Sequence, residues 1–301
     1  MEKFISIPVV ESSMYMFGGH QHTVPGGWSF FEQKHQAFEL MCVIDGGQTT
    51  EFKNNKTLSY GPGDVVIISP GTSHTNKNSS IFKEMTYICF HFNFDSLKLK
   101  SKLIGYLANR VIDRDNEIAL MSNRVARQVI DISGSTNLST EVIKLKIQIV
   151  ILQYMAYLAE NVDHNINTSD SIFSEREATV SQEIAALIQS KVDDIEHTAF
   201  SFGDICNQLG ISTGYGHRLF KKVYGVTPLH YIEDQKYQKA KILLGYDEYS
   251  IEDVAFMIGA GDIAVFSKQF KKWSGVTPSQ YRRQISKKRI VRSKTQKGYF
   301  E

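Results

Sequence analysis

Two sets of side chains in this 301-residue sequence could do chemistry. The first joins imidazoles to one carboxylate: His35, Glu39 and His74, with His20 and His22 upstream. Two imidazoles and a carboxylate are a common transition-metal donor set. The same groups can hydrogen-bond a small polar molecule inside a concave, partly apolar pocket. The hydrogen-bonding use is the expectation, with no metal or other cofactor. Histidines satisfied purely within the fold are the plain structural alternative. Trp28, Phe30, Phe31, Tyr87 and His91 could add stacking and rim contacts. The second set is basic: residues 264–300 hold eleven Lys and Arg and no Asp or Glu. Such a block is either a solvated tail or a face for a polyanion. No Ser–His–Asp arrangement or phosphate loop is apparent, and GYGHR at 214–218 is not a P-loop. No enzymatic activity is expected.

An internal repeat positions the basic set. FKKVYGVTP (220–228) matches FKKWSGVTP (270–278) at seven of nine positions, fifty residues apart. Ahead of each copy, Ile205 and Leu209, then Val254 and Ile258, follow helical spacing. Gly210 and Gly259 follow as helix terminators, and Ser212 and Asp262 can cap a second helix. Short helix, tight turn, longer helix with a basic end is helix-turn-helix logic, written twice. YIEDQKYQKAKILL between the copies reads as one continuous helix that fixes their spacing.

The histidine set sits in a different kind of sequence. Residues 1–96 alternate apolar and polar in short runs broken by Gly, Pro, Asn and Asp, an all-β pattern. FELMCVIDGGQ reads as a strand with a Gly-Gly turn, TEFKNNKTLSYGPGDVVIISP as a hairpin, and KEMTYICFHFNF as a closing strand. His20 and His22 are expected in an arm outside the barrel. Residues 97–160 turn helical, with Val142, Leu145, Ile149, Leu152 and Ala156 at three- and four-residue steps. Residues 161–177 read as a linker, and 285–301 as a basic tail.

Residues 178–284 resemble the DNA-binding domain of the AraC/XylS family of transcription regulators, through the doubled helix-turn-helix and its GVTP and FKKWSGVTPSQYR segments. Residues 35–92 resemble a cupin barrel, through the histidine, FEL, the glycine turn and GPGDVVIISPGTSH. The implied fold is multidomain α+β: an N-terminal all-β cupin-like barrel with following helices, then an all-α double helix-turn-helix. The resemblance implies recognition helices near 213–223 and 262–273. Thr213, Gly214, His217 and Arg218 take the base-facing positions of the first, and Ile263, Ala264, Ser267 and Lys268 those of the second. Arg218 suits guanine and Ile263 and Ala264 thymine methyls, while Lys221, Lys222, Lys271 and Lys272 suit phosphates. Gly214 and Gly216 each weaken a helix by about 0.5–1 kcal/mol relative to alanine, so the first recognition helix is expected to order fully on DNA.

The resemblance further implies a small-molecule effector, such as a sugar, held by Trp28, His35, Glu39, His74, Tyr87 and His91. It implies double-stranded DNA and RNA polymerase as partners, activation as the commoner mode, and a homodimer paired through 97–160. Two other readings stay open: a metal-dependent cupin enzyme carrying a DNA-binding tail, and a ligand-free architectural DNA binder.

Composition agrees with this division. The net charge of +2 averages −2 over residues 1–170 with +4 over 171–301. Cys42, Cys89 and Cys206 are odd in number, dispersed and without a CxxC pair, which argues against a disulfide framework. MEKFISIPVVESS lacks the apolar core of a secretory signal. No stretch approaches 18 uninterrupted apolar residues, so no membrane span is expected and a cytoplasmic location is.

Overall fold

A computed structural model describes residues 14–162, 171–194, 200–246 and 248–284, which belong to two compact units. The first unit is β-rich. Its strands are β1 (Met14–Val24), β2 (Phe38–Asp45), β3 (Gln48–Phe52), β4 (Thr57–Tyr60), β5 (Val65–Ile68), β6 (His74–Asn78), β7 (Met85–Phe94) and β8 (Val111–Ile112). They form a five-stranded sheet, β1-β7-β2-β5-β8, and a three-stranded sheet, β4-β3-β6. Side chains from both sheets, among them Met41, Val43, Phe52, Tyr60, Val66, Ile68 and Met85, share one core. In β3 and β6 buried residues alternate with half-buried ones, because successive side chains point to opposite faces. β5 is buried at every position, since its outer face is also covered.

The cover is helical. Strand β7 leads to α1 (Leu97–Lys102) and a π-helical turn (Leu103–Leu107), then to α2 (Glu117–Ser133) and α3 (Thr140–Asn161). α2 packs on α3 and on β2, β5 and β7, through Ile118, Ala119, Val125 and Val129. Tyr154 of α3 sits 6.5 Å from the Phe92 ring and 2.6 Å from the Ser122 hydroxyl. This hydrogen bond satisfies two polar groups that burial would otherwise leave costly.

Two expectations need correction here. His20 and His22 belong to β1, paired with β7 through His20↔Cys89 and His22↔Tyr87. The last barrel strand, β8, lies inside the stretch read as helical. α3 is, among the described residues, the one helix long and apolar enough to cross a membrane, although one face of it, Val150, Ile151, Tyr154, Met155 and Leu158, is buried within this unit.

The second unit is helical and holds α5 (Phe202–Gln208), α7 (Pro228–Leu244), α8 (Ile251–Met257), α9 (Ile263–Ser274) and most of α4 (Glu175–Asp193) and α6 (Thr213–Tyr224), whose residues up to Ala178 and from Lys222 group with the first unit. α4 begins within the stretch read as linker, and residues 163–170 lie outside the described residues. α5 and α8 start with the same capping box, Ser201 with Asp204 and Ser250 with Asp253. Gly210 and Gly259 end the short helices at φ of +66° and +67°, a conformation that glycine adopts without steric cost. Ser212 and Asp262 cap the longer helices that follow. Thr227 caps α7 with Pro228 at its first turn, and Thr277 makes the same bond to Gln280 in the second copy. GVTP is thus a helix stop joined to the next helix start.

Candidate functional site

In the barrel, the two strands β2 and β7 set Glu39 directly opposite His91, and β6 brings His74 from the other sheet. The Glu39 Oε2 atom lies 2.9 Å from His74 Nε2, 3.7 Å from His91 Nε2 and 4.0 Å from His35 Nε2. Glu39 and His74 are almost wholly buried, with 3% and 1% exposure. The His35 and His91 rings meet edge to face at 4.3 Å. Four of the six expected effector residues therefore converge. Burial, and next the neighbouring His91, lower the His35 pKa, which favours a neutral ring.

Trp28 and Tyr87 form a separate cluster. Their rings are 5.7 Å apart, and Tyr87 also packs on His20 and His22. The Tyr87 hydroxyl is 3.1 Å from His20 Nε2, and burial pushes its pKa up to about 12. Phe30 and Phe31 stack on each other and are exposed. The Gln33 side-chain oxygen lies 3.0 Å from His35 Nε2.

Sequence reasoning missed the polar lining between these clusters. The Thr50 hydroxyl lies 2.9 Å from the Tyr60 hydroxyl and donates to the Asn76 side-chain oxygen Oδ1 (2.7 Å). Gln48 is fully buried and neither its amide nitrogen nor its oxygen has a hydrogen-bond partner among the described residues. The signal was the period-two alternation of Gln48, Thr50 and Phe52, which places all three on the inner face. The cysteines are free and buried.

In the helical unit, α6 runs unbroken through both glycines, so the expected loosening has a different resolution. A Cβ on Gly216 would stand 2.7 Å from Cys206 Sγ and 3.2 Å from the Phe202 ring. Glycine there lets α6 approach α5, while Gly214 faces Arg218 at the surface. Thr213, Gly214, Arg218 and Lys221 are exposed, and His217 is half-buried with its ring 4.6 Å from Phe202. Leu219, Phe220 and Val223 form the inward face. Lys222 is ion-paired with Glu177, its ammonium 2.8 and 2.9 Å from the two carboxylate oxygens. On α9, Ile263, Ala264, Lys268, Lys271 and Lys272 are exposed and Ser267 is half-buried. The basic tail at 285–301 lies outside the described residues.

These two units correspond to known domains. Residues 16–141 match the family described as "AraC-like ligand binding domain", and residues 205–284 match "Helix-turn-helix domain". The chain pairs an AraC-like ligand-binding domain with a helix-turn-helix domain. Similar curated proteins include the raffinose operon transcriptional regulatory protein RafR of Pediococcus pentosaceus, 34% identical over 29% of this chain and 32% of that protein. The arabinose operon regulatory protein of Salmonella typhimurium is 28% identical over 39% of this chain and 44% of its own length. The HTH-type transcriptional activator RhaR of Mannheimia succiniciproducens is 23% identical over 83% of this chain and 87% of that protein. The chain thus aligns with less than half the length of the first two. It has the expected multidomain α+β fold, with β-rich and helical domains in the expected order.

Proposed function

We propose that this chain is a sequence-specific DNA-binding transcription regulator, an activator that contacts RNA polymerase, whose promoter occupancy is set by a small polar effector in the barrel. The observation that carries the reading is the duplicated reader: two short helices with identical capping boxes, each turning on a left-handed glycine into a longer helix with exposed basic residues. Two linked readers suit adjacent turns of one DNA face, about 34 Å apart. In this reading Thr213, Gly214, His217 and Arg218 face bases from α6, and Ile263, Ala264, Ser267 and Lys268 from α9. Lys221, Lys271 and Lys272 take phosphates, and Lys222 does so by exchanging Glu177 for DNA.

The effector residues are Trp28, His35, Glu39, His74, Tyr87 and His91. The unpartnered amide of Gln48 and the Thr50–Tyr60–Asn76 network support a ligand rich in hydroxyls. The raffinose and arabinose operons named for two relatives support a sugar. A homodimer is supported by α3, where Val142, Leu145, Ile149, Leu152 and Ala156 are all exposed on one stripe while the other face is buried. The working domains are a barrel over 1–96 completed by β8, a helical segment over 97–160, the reader over 178–284 with α4 leading into it, and the tail 285–301, in a cytoplasmic protein.

Footprinting of the full chain on DNA flanking its own gene, with and without a panel of mono- and disaccharides, tests the reading. The expected result is two protected major-groove segments about one turn apart, whose strength changes with one sugar. Uniform coating of DNA without sequence preference would sink it.

A further inference from the structure

The cluster around Glu39 poses a problem in hydrogen bookkeeping. His74 Nδ1 lies 3.1 Å from the Thr72 carbonyl oxygen, and His91 Nδ1 lies 3.3 Å from the Gly18 carbonyl oxygen. A carbonyl can only accept, so in each neutral ring the proton sits on Nδ1. The Nε2 atoms of both rings are then lone pairs, and both face the same carboxylate oxygen, itself an acceptor. Glu39 Oε2, His74 Nε2 and His91 Nε2 are all buried and make no hydrogen bond among the described residues. At 2.9 Å, the Glu39–His74 pair is close but off the hydrogen-bonding line. Leaving these acceptors pointed at one another in a buried site is costly. One protonated imidazole would answer the carboxylate and leave the other ring's Nε2 without a partner, and two would put three charges in a buried site. One cation among the lone pairs answers all of them.

We propose that Glu39, His74 and His91, joined by His35, form a binding site for a divalent first-row transition ion. Ligand atoms of His35, Glu39 and His74 already lie within 4.8 Å of one another. Donors about 2.1 Å from one ion stand roughly 3.0–3.4 Å apart, so the 2.9–4.0 Å spacing around Glu39 Oε2 closes with small side-chain turns. The Thr72 and Gly18 carbonyls are the outer partners that fix ring orientation at a metal centre. Imidazole and carboxylate donors suit zinc, iron, nickel or copper rather than calcium or magnesium. His35 joins by releasing Gln33, its present partner. The site stands whether or not a sugar enters the barrel.

The test uses untagged full-length protein, stripped with a chelator and titrated with Co(II) and Zn(II). One Co(II) per chain is expected, with the visible absorption of a nitrogen–oxygen site. The same protein labelled with ¹⁵N-histidine should show the Nε2 signals of His74 and His91 moving on Zn(II) addition while His22 stays still. Glu39→Gln and His91→Ala should each weaken Co(II) binding by at least about 100-fold, beyond what losing an outer partner costs. Circular dichroism confirms that each variant is folded; should Glu39→Gln fail that check, His35→Ala/His91→Ala takes its place. Substoichiometric Co(II), unmoved His74 and His91 signals, or full binding by the folded double variant would overturn the proposal. Loss of sugar-dependent footprinting with metal binding intact would overturn only the effector reading.

Discussion

In the first reader unit the short helix carries the bulk, and in the second the longer helix does. α5 brings Phe202 and Cys206 against α6, and α6 answers with Gly216. Fifty residues on, the place of Gly216 is taken by Phe266, fully buried in one core with Ile251 and Ala255 of α8. A large–small contact has become a small–large one, as close packing demands when backbone geometry is held. What holds the backbone is the repeated hardware: the capping box, the left-handed glycine, the FKK segment and the threonine cap. The comparison separates features that place a reading helix from features that merely fill the space behind it. The outward faces diverge too: α6 offers a guanidinium and an imidazole, whereas α9 leads with exposed Ile263 and Val265.

The largest effect should come from emptying the second interface. Phe266→Ala is expected to destabilise the helical unit by about 3–5 kcal/mol, the usual cost of deleting a buried aromatic, read by urea unfolding of the full chain. A cost below about 1 kcal/mol would mean that Phe266 does not fill the place assigned to it. Filling the first interface is next. Gly216→Ala should cost about 1–3 kcal/mol through overpacking, despite alanine's better helix propensity. Combining it with Cys206→Gly should recover part of that loss. If the two changes simply add, the exchange of bulk is not what distinguishes the copies.

On DNA the copies should differ in kind. Arg218→Ala is expected to cost about 1–3 kcal/mol and to relax preference at one base pair, whereas Lys272→Ala should weaken all sequences alike and lower the salt slope by about one. Binding titrations at several salt concentrations on matched and mismatched sites read both. Identical behaviour of the two variants would erase the proposed division of labour.

Much of this was legible in the sequence because repetition doubles a weak signal. FKK, GVTP and the spaced glycines located both readers, and alternation located most of the strands. Three things were not legible. His20 and His22 looked like an arm because Gly18 and Gly19 interrupt the pattern; β1 absorbs them with a register shift between Phe17 and Gly19. Glu39 and His91 are 52 positions apart, and only strand register sets them opposite each other. Likewise Gly216 looks like a helix breaker until its partner on α5 is known. Local composition reports propensity, whereas cross-strand register and helix–helix approach are tertiary facts.

The smallest effect bears on the sharpest likeness between the copies. In each capping box the serine hydroxyl accepts from the third backbone amide, at 3.2 Å for Asp204 and 3.0 Å for Asp253. Each aspartate accepts from the serine backbone amide at 2.7 Å. Ser201→Ala and Ser250→Ala should therefore each cost about 1 kcal/mol, and nearly the same amount. The bonds from Ser201 and Ser250 hold the Asp204 and Asp253 carboxyls below the usual aspartate range. A depressed folded-state pKa adds stability above the unfolded value and loses it as pH falls through the folded one. Both caps should then be complete at neutral pH and fade together in acid. Thermal melting of the two variants across that range reads the balance: parallel curves would mean that the caps set backbone geometry independently of the core behind them. A cap worth markedly more in the Gly216 copy would instead tie cap and packing together, and the two halves of the comparison could no longer be separated.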